Sequence, residues 1–390
     1  MGGTWAKSKA RAVYVHIPFC TNKCFYCDFN SYVVDGQPVD RYLDALEQEL
    51  IQVSELHPPD VIDTIFVGGG TPTVLDPLQM KRLCAMIRNS FPNLSENYEW
   101  TMEANPGTTD REKLAAMLAG GVNRISFGAQ SFDAEELQRI GRIHQPGDVI
   151  QSIANARAEG FQNLSVDLMF GLPNQTVQRF QENVERALSL DLPHYSVYSL
   201  KVEEHTLFHT LYERGQLPLP SEDEEVDMYR FLLNRMQQAG RIAYEVSNFA
   251  KVGFESKHNT TYWRNESYYG LGAGAHGYLR GKRHWNIKAV QGYIDAALRG
   301  LPIAEQTEIS LQDAMEDFWM VGLRLRDGAK ESDFRKQFDR EAEDVFGSVL
   351  ERLLQDGLLA RRDDLDGYCL TERGLWLGND VFARFLGINS

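Results

Sequence analysis

Through the first half of the chain, short β-rich apolar runs alternate with longer segments of helical apolar spacing. Ala12–Ile17 (AVYVHI) is the first such run, and Asp40–Leu56 carries apolar residues at helical intervals. Thr64–Val67 leads into three glycines, and Pro77–Asn89 reads as a helix. The alternation continues as strand Tyr98–Glu103 with helix Thr109–Ala119, then strand Asn123–Phe127 with helix Val149–Glu159. Strand Asn163–Met169, helix Gln175–Ser189 and a sixth strand at His194–Leu200 complete the series. Six βα units in a row predict a parallel sheet with right-handed crossovers. Six are too few for a closed eight-stranded barrel. The expected α/β fold is therefore a partial (β/α)6 barrel, working at the C-terminal ends of its strands.

Beyond Leu200 the alternation stops. Ser221–Gln238 reads as a helix with a Ser N-cap, and its acidic first turn, Glu222–Glu225, needs no other explanation. Residues 241–300 mix short strands with glycine turns. A helical pattern returns near Ser310, followed by a hairpin (ARRDDLDGYCLT) and a last helix from about Glu372. The organisation expected is a barrel over residues 1–220, an extension over 221–305, and a small winged-helix-like α+β domain over 306–390.

Composition narrows the class without changing this picture. The 390 residues are 43% hydrophobic and 24% charged, as in ordinary globular proteins. Forty basic against 55 acidic side chains give a net charge of −15, which disfavours a nucleic-acid partner. No signal-peptide pattern and no apolar run of ~18 residues is present, so a cytoplasmic protein without a transmembrane segment is expected. Peripheral membrane association and dimerisation stay open.

Cysteine usage does change the picture. Three of the five cysteines fall in one loop after the first strand, Cys20-Thr-Asn-Lys-Cys24-Phe-Tyr-Cys27. Crowded thiolates in a reducing compartment are typical iron–sulfur ligands. Three of them on a four-iron cluster leave one iron open to a cosubstrate. Zinc would call for a fourth Cys or His nearby, and Asp28 is a poor substitute. Cys84, in an apolar helix, reads as core, and Cys369 as a strand residue.

CX3CX2C with an aromatic before the third cysteine resembles the radical S-adenosylmethionine (SAM) superfamily. There, methionine's amino and carboxylate groups chelate the open iron, and reductive cleavage yields a 5′-deoxyadenosyl radical. Gly68-Gly-Gly-Thr-Pro72 is similar to that superfamily's glycine motif, where missing Cβ atoms let backbone approach a ligand. Within the superfamily, Tyr14–Cys20, Gly69–Thr73, Glu103–Gly107, Phe127–Phe132, Gly141–His144 and Asp167–Pro173 resemble the oxygen-independent coproporphyrinogen III oxidase-like family. The resemblance implies a [4Fe–4S] cluster on Cys20, Cys24 and Cys27. It also implies SAM contacts from Tyr14, Gly70, Thr71, Glu103, Gln130, Arg142 and Asp167. Tyr26 stands where an aromatic packs on the adenine or shields the cluster.

Two features point away from the oxidase itself. Phe29 stands where the oxidase has a further cysteine, and only 19 residues precede Cys20. In exchange, His258-Asn-Thr-Thr-Tyr-Trp263 resembles the HNXXYW signature of the family's heme-chaperone branch. Neutral imidazole is a common heme ligand, so His258 is the candidate for the iron. Tyr262 and Trp263 are candidates to stack on the porphyrin. A turn histidine with core aromatics is the alternative for this segment. The resemblance implies heme as cargo and heme-acceptor proteins of the respiratory chain as partners. It leaves open whether SAM is cleaved. The rival readings are an oxygen-independent porphyrinogen oxidase and, disfavoured by charge, a tRNA-modifying radical enzyme. Two weaker signals remain. Gly272-Ala-Gly-Ala-His-Gly277 fits GXGXXG but precedes hairpin-like sequence rather than a helix, so a dinucleotide fold is not expected. His16 and His276 read first as structural.

Overall fold

The computed structural model describes residues 4–387. After β1 (Ala12–Ile17), two-residue strands β2 (Phe19–Cys20) and β3 (Tyr32–Val33) pair in parallel and bracket the cysteine loop. Helix α1 (Val39–Leu56) leads to β4 (Ile62–Gly69), α2 (Pro77–Ser90) to β5 (Leu94–Ala104), and α3 (Arg111–Gly120) to β6 (Arg124–Gln130). Helices α4 (Ala134–Arg139) and α5 (Pro146–Ala158) precede β7 (Asn163–Phe170), and α6 (Val177–Ser189) precedes β8 (His194–Ser199). These six long strands lie side by side in chain order and all pair in parallel. The expected partial barrel is thus present. Its helix starts are written locally: Asp110 is the N-cap of α3, and Asp76 completes a capping box with Gln79.

The extension adds strands to both edges of this sheet. After α7 (Leu207–Glu213) and α8 (Glu222–Gln238), β9 (Ile242–Ala243) and β10 (Asn248–Ala250) continue antiparallel from β8. Helix α9 (Lys257–Trp263) then leads to β11 (Tyr268–Leu271), which pairs in parallel with β1. Strands β12 (His276–Leu279) and β13 (Lys282–Asn286) form a hairpin beyond it, and β14 (Ile303–Glu308) closes that edge after α10 (Val290–Ala297). The GXGXXG run therefore opens a strand, not a helix. Extension and barrel share one apolar core, in which Phe249, Tyr269, Leu271 and Tyr293 sit with Trp100 and Phe127.

A second core belongs to the C-terminal segment: α11 (Leu311–Gly322), β15 (Ala329–Lys330), α12 (Glu331–Phe338), α13 (Ala342–Gln355), β16 (Leu359–Arg362) and β17 (Gly367–Leu370). Its three strands form one antiparallel sheet, followed by short helices α14 (Glu372–Trp376) and α15 (Gly378–Ala383). Helix–strand–helix–helix–strand–strand is the order of a winged helix. Cys84 and Cys369 are buried, in α2 and β17.

Side chains alternate across each barrel strand. One set, with Val13, Val15, Ile65, Val67, Trp100, Met102, Ile125 and Phe127, is buried beneath the helices. The other set is largely polar: Tyr14, His16, Thr64, Glu99, Thr101, Glu103, Arg124, Ser126, Ser165, Asp167, His194 and Ser196. These residues hydrogen-bond across the lumen, as in Ser126 to Asp167 (3.0 Å) and Ser165 with His194 Nδ1 (2.7 Å).

Candidate functional site at the barrel mouth

The cysteine loop is clamped at both ends and across its middle. Tyr32 N–H donates to Pro18 and Val34 N–H to Cys20, closing the loop's neck. Lys23 Nζ donates to the Phe29 carbonyl (2.7 Å) and Ser31 Oγ (2.8 Å). Phe25 N–H donates to Ile140, Phe208 N–H to Phe25, and Asn22 Nδ2 to the Gly141 carbonyl. On the other side Asn30 Nδ2 donates to the carbonyls of Ala273 and Lys288, both at 2.9 Å.

Cys20, Cys24 and Cys27 are unpaired and half-buried on this frame. Thr71 Oγ1 lies 3.5 Å from Cys20 Sγ, and Arg142 Nη1 lies 3.6 Å from Cys24 Sγ; both are donors aimed at sulfur. Burial pushes the Cys20 and Cys27 thiols up, so metallation must release protons. Among the described residues no three Cys, His, Asp or Glu side chains are gathered to hold a single metal ion. The fit to a cluster rests on the donors themselves: three free thiols in one loop, with hydrogen bonds supplied to two of the sulfurs.

The rim residues converge around this loop. Gly70 admits no side chain, because a Cβ there would lie 2.6 Å from the Phe19 carbonyl oxygen and 2.7 Å from that of Ile17. Gly69 N–H donates to Glu103 Oε2 at 3.0 Å. Burial, then repulsion from Asp167, raises Glu103 to about 7; burial also raises Asp167. Arg142 donates to the Gly128 carbonyl and to Asn105 Oδ1, whose Nδ2 donates to Thr71 Oγ1 at 2.8 Å. Gln130 ends β6 in left-handed backbone (φ 64°), beside a register shift after Gly128. Such strain in a non-glycine residue is a common mark of a functional position. Tyr26 packs near Phe208, with ring centroids 6.5 Å apart, over the apolar patch of Leu137, Ile140 and Leu200. Phe29 is 63% exposed.

Tyr14 and His16 extend the site into the lumen. His16 Nε2 meets the Asn30 carbonyl (2.8 Å), which can only accept, so Nε2 carries the proton. His16 Nδ1 then accepts from the Tyr14 hydroxyl at 2.9 Å. Burial holds the His16 pKa at about 4, consistent with this neutral tautomer.

The HNXXYW segment lies elsewhere. It forms α9, and His258 and Tyr262 plug the lumen near the starts of β4 and β5. His258 Nδ1 bonds Thr64 Oγ1 and Nε2 bonds the Tyr262 hydroxyl, both at 2.8 Å, and the imidazole stacks on Phe66. It is 1% exposed, and burial holds its pKa at about 3. Both ring nitrogens of the candidate His258 are thus engaged within the fold. Trp263 faces the other way, 4.5 Å beneath the Arg324 guanidinium of the C-terminal domain. Glu99 accepts from Ser256 Oγ and from the first amides of α9, so the helix is anchored by a residue far away in sequence.

Comparisons with known proteins show the family and the fold. The "Radical SAM superfamily" model matches residues 14–187, and the "HemN C-terminal domain" model matches 309–377. The curated "Heme chaperone HemW" of Bacillus subtilis is 45% identical over 97% of this chain and 99% of its own length. The chain belongs to the HemW family. HemW of Escherichia coli is 34% identical over 96% of this chain and 98% of its own. Outside bacteria, mouse "Radical S-adenosyl methionine domain-containing protein 1, mitochondrial" is 33% identical, covering 90% of this chain and 82% of its own. Among solved structures, the E. coli coproporphyrinogen III oxidase HemN superposes with a TM-score of 0.83 at 25% identity, covering 97% and 90% of the two chains. This chain thus shares the fold of that oxidase.

Sequence reasoning missed part of the site. Asn105, Asn30 and Asn22 were not singled out, yet each ties cluster-loop or rim residues together. The polar lumen was also missed. Its signal was present: Glu99-x-Thr101-x-Glu103 and Arg124-x-Ser126 put polar residues at every second position of otherwise apolar strands.

Proposed function

We propose that this chain is a heme chaperone: it binds heme and delivers it to acceptor proteins, on a radical SAM core that holds a [4Fe–4S] cluster and SAM. The observation that carries this reading is end-to-end likeness to a curated heme chaperone at 45% identity. Phe29, exposed in the cysteine loop, supports it over porphyrinogen oxidation. A cluster held there would supply one-electron reducing power to a bound SAM. In this reading Cys20, Cys24 and Cys27 hold the cluster, with Thr71 and Arg142 donating to two of the sulfurs. Glu103 and Asp167 accept from ribose hydroxyls or an amine, Arg142 pairs with a carboxylate, and Gly70 lets the backbone approach. Tyr14, Gln130 and Tyr26 line the same mouth.

Respiratory-chain proteins are the proposed acceptors, met from the cytoplasm by peripheral membrane association. Among the described residues no helix is long and apolar enough to cross a membrane. The deciding experiment reconstitutes the cluster anaerobically. One sample then receives heme, and another receives coproporphyrinogen III, SAM and reductant. Heme retention without porphyrinogen turnover is expected. Formation of protoporphyrinogen would sink the chaperone reading.

A further inference from the structure

With both nitrogens of His258 engaged, the axial imidazole for heme must be sought among the other histidines. His16 and His194 also have both ring nitrogens bonded inside the lumen. His144 is buried against the Ala129 carbonyl, and His209 faces Glu213. His57 and His284 are half-buried, and only His205 and His276 are exposed among the described residues.

His276 differs from His205 in being oriented. It starts β12 at the mouth end of the sheet, and its ring stacks on Trp285 with centroids 5.8 Å apart and planes 28° from parallel. No hydrogen bond occupies either nitrogen, while the ring's face is fixed by the indole. The preceding turn is closely packed and hydrogen-bonded. Gly272 and Gly274 have φ of 97° and 76°, and a Cβ on Gly274 would lie 2.6 Å from Asn30 Nδ2. Gly272 N–H is held by buried Glu49 at 2.8 Å. Through Asn30 this turn is tied to the cysteine loop, since that amide bonds Ala273 and Lys288 together. Partial burial, and then the charge of Lys288, push the His276 pKa down, which favours the neutral imidazole.

We propose that His276 is the axial ligand to heme iron, holding the porphyrin at the barrel mouth beside the cysteine loop, with Lys288 pairing a heme carboxylate. This rests on the heme-chaperone reading and deepens it. A neutral imidazole with an open nitrogen is the donor heme iron takes. The Trp285 indole, stacked on the imidazole, holds the ring's orientation. Carboxylates of the macrocycle would then find the Lys288 ammonium, on the segment after β13, within electrostatic reach of His276.

The test compares wild type, His276→Ala and His258→Gln in the full-length protein, titrated anaerobically with heme and read by Soret position and magnetic circular dichroism. His276→Ala is expected to lose the histidine-ligated spectrum and to bind heme about tenfold more weakly or worse, a loss of about 1.4 kcal/mol. Millimolar imidazole should restore the spectrum, which a merely structural role would not do. His258→Gln should keep it. A His276→Ala protein with the wild-type spectrum and affinity overturns this assignment alone. Failure of the wild type to bind heme at all overturns the chaperone reading with it.

Discussion

His258→Ala separates a docked plug from a free ligand by stability alone. The imidazole fills a site that is 1% exposed, bonds Thr64 and Tyr262 at 2.8 Å each, and stacks on Phe66. Truncation leaves two buried hydroxyls with a lost partner and opens a ring-sized cavity. Lost bonds of this kind cost ~1 kcal/mol each, and ring-to-alanine changes in cores ~3–5 kcal/mol in all. The expected loss at pH 7 is therefore about 3–5 kcal/mol. The pH dependence carries an independent check. His258 titrates at about 3 when folded, because burial disfavours the cation. Its unfolded pKa is ~6.5, so below that value only the unfolded chain takes up the proton, and stability falls as pH falls. From pH 7 to pH 5 the wild type loses about 2 kcal/mol through this residue, at ~1.4 kcal/mol per unit over ~1.5 units. The alanine variant lacks that loss, so the gap between the two proteins narrows by about 2 kcal/mol at pH 5. Taking the difference cancels the opposite contribution of Glu49 and Glu103, whose folded pKa values of about 7 make stability rise as pH falls toward the unfolded carboxylate range. Urea titrations of the cluster-free protein, followed by far-UV circular dichroism at both pH values, measure this. A cost under ~1 kcal/mol, or one independent of pH, would refute docking of His258 in the lumen.

Other consequences are measurable on the same protein. Cys24→Ala should abolish the cluster's visible absorbance after reconstitution; persistence of that absorbance would remove Cys24 from the ligand set. Gly70→Ala forces a Cβ against two backbone carbonyls, so thermal unfolding should show a loss of about 1–3 kcal/mol, with weakened SAM binding by calorimetry. Glu103 ionises near pH 7, so SAM affinity in the wild type should rise from pH 6 to pH 8. In Glu103→Gln it should be flat over that range, and calorimetry at the two pH values decides. Trp263→Leu removes the surface beneath Arg324 and should destabilise by about 1 kcal/mol, read as faster proteolysis between barrel and C-terminal domain.

What the sequence alone determined is what is local or periodic. Strand and helix alternation specified the barrel because each βα unit must bury one apolar face against its neighbour. Cys20, Cys24 and Cys27 were legible because ligand spacing within one loop is itself the chemistry. The Ser221 start of α8 was legible because a cap lies within four residues of the amides that it serves. Only tertiary structure decided the rest. Helix α9 was hidden in a region that read as strands and turns, because its first amides are satisfied by Glu99, more than 150 residues away. The same docking engages both nitrogens of His258: a histidine's availability depends on what faces those nitrogens, and Thr64 arrives there through the parallel register of the barrel. His276, read first as structural, was left with an open nitrogen because the β12–β13 hairpin turns its ring onto Trp285 and away from any donor. Spacing along the chain names the groups able to bind. Which of them remain free to do so depends on their neighbours in space.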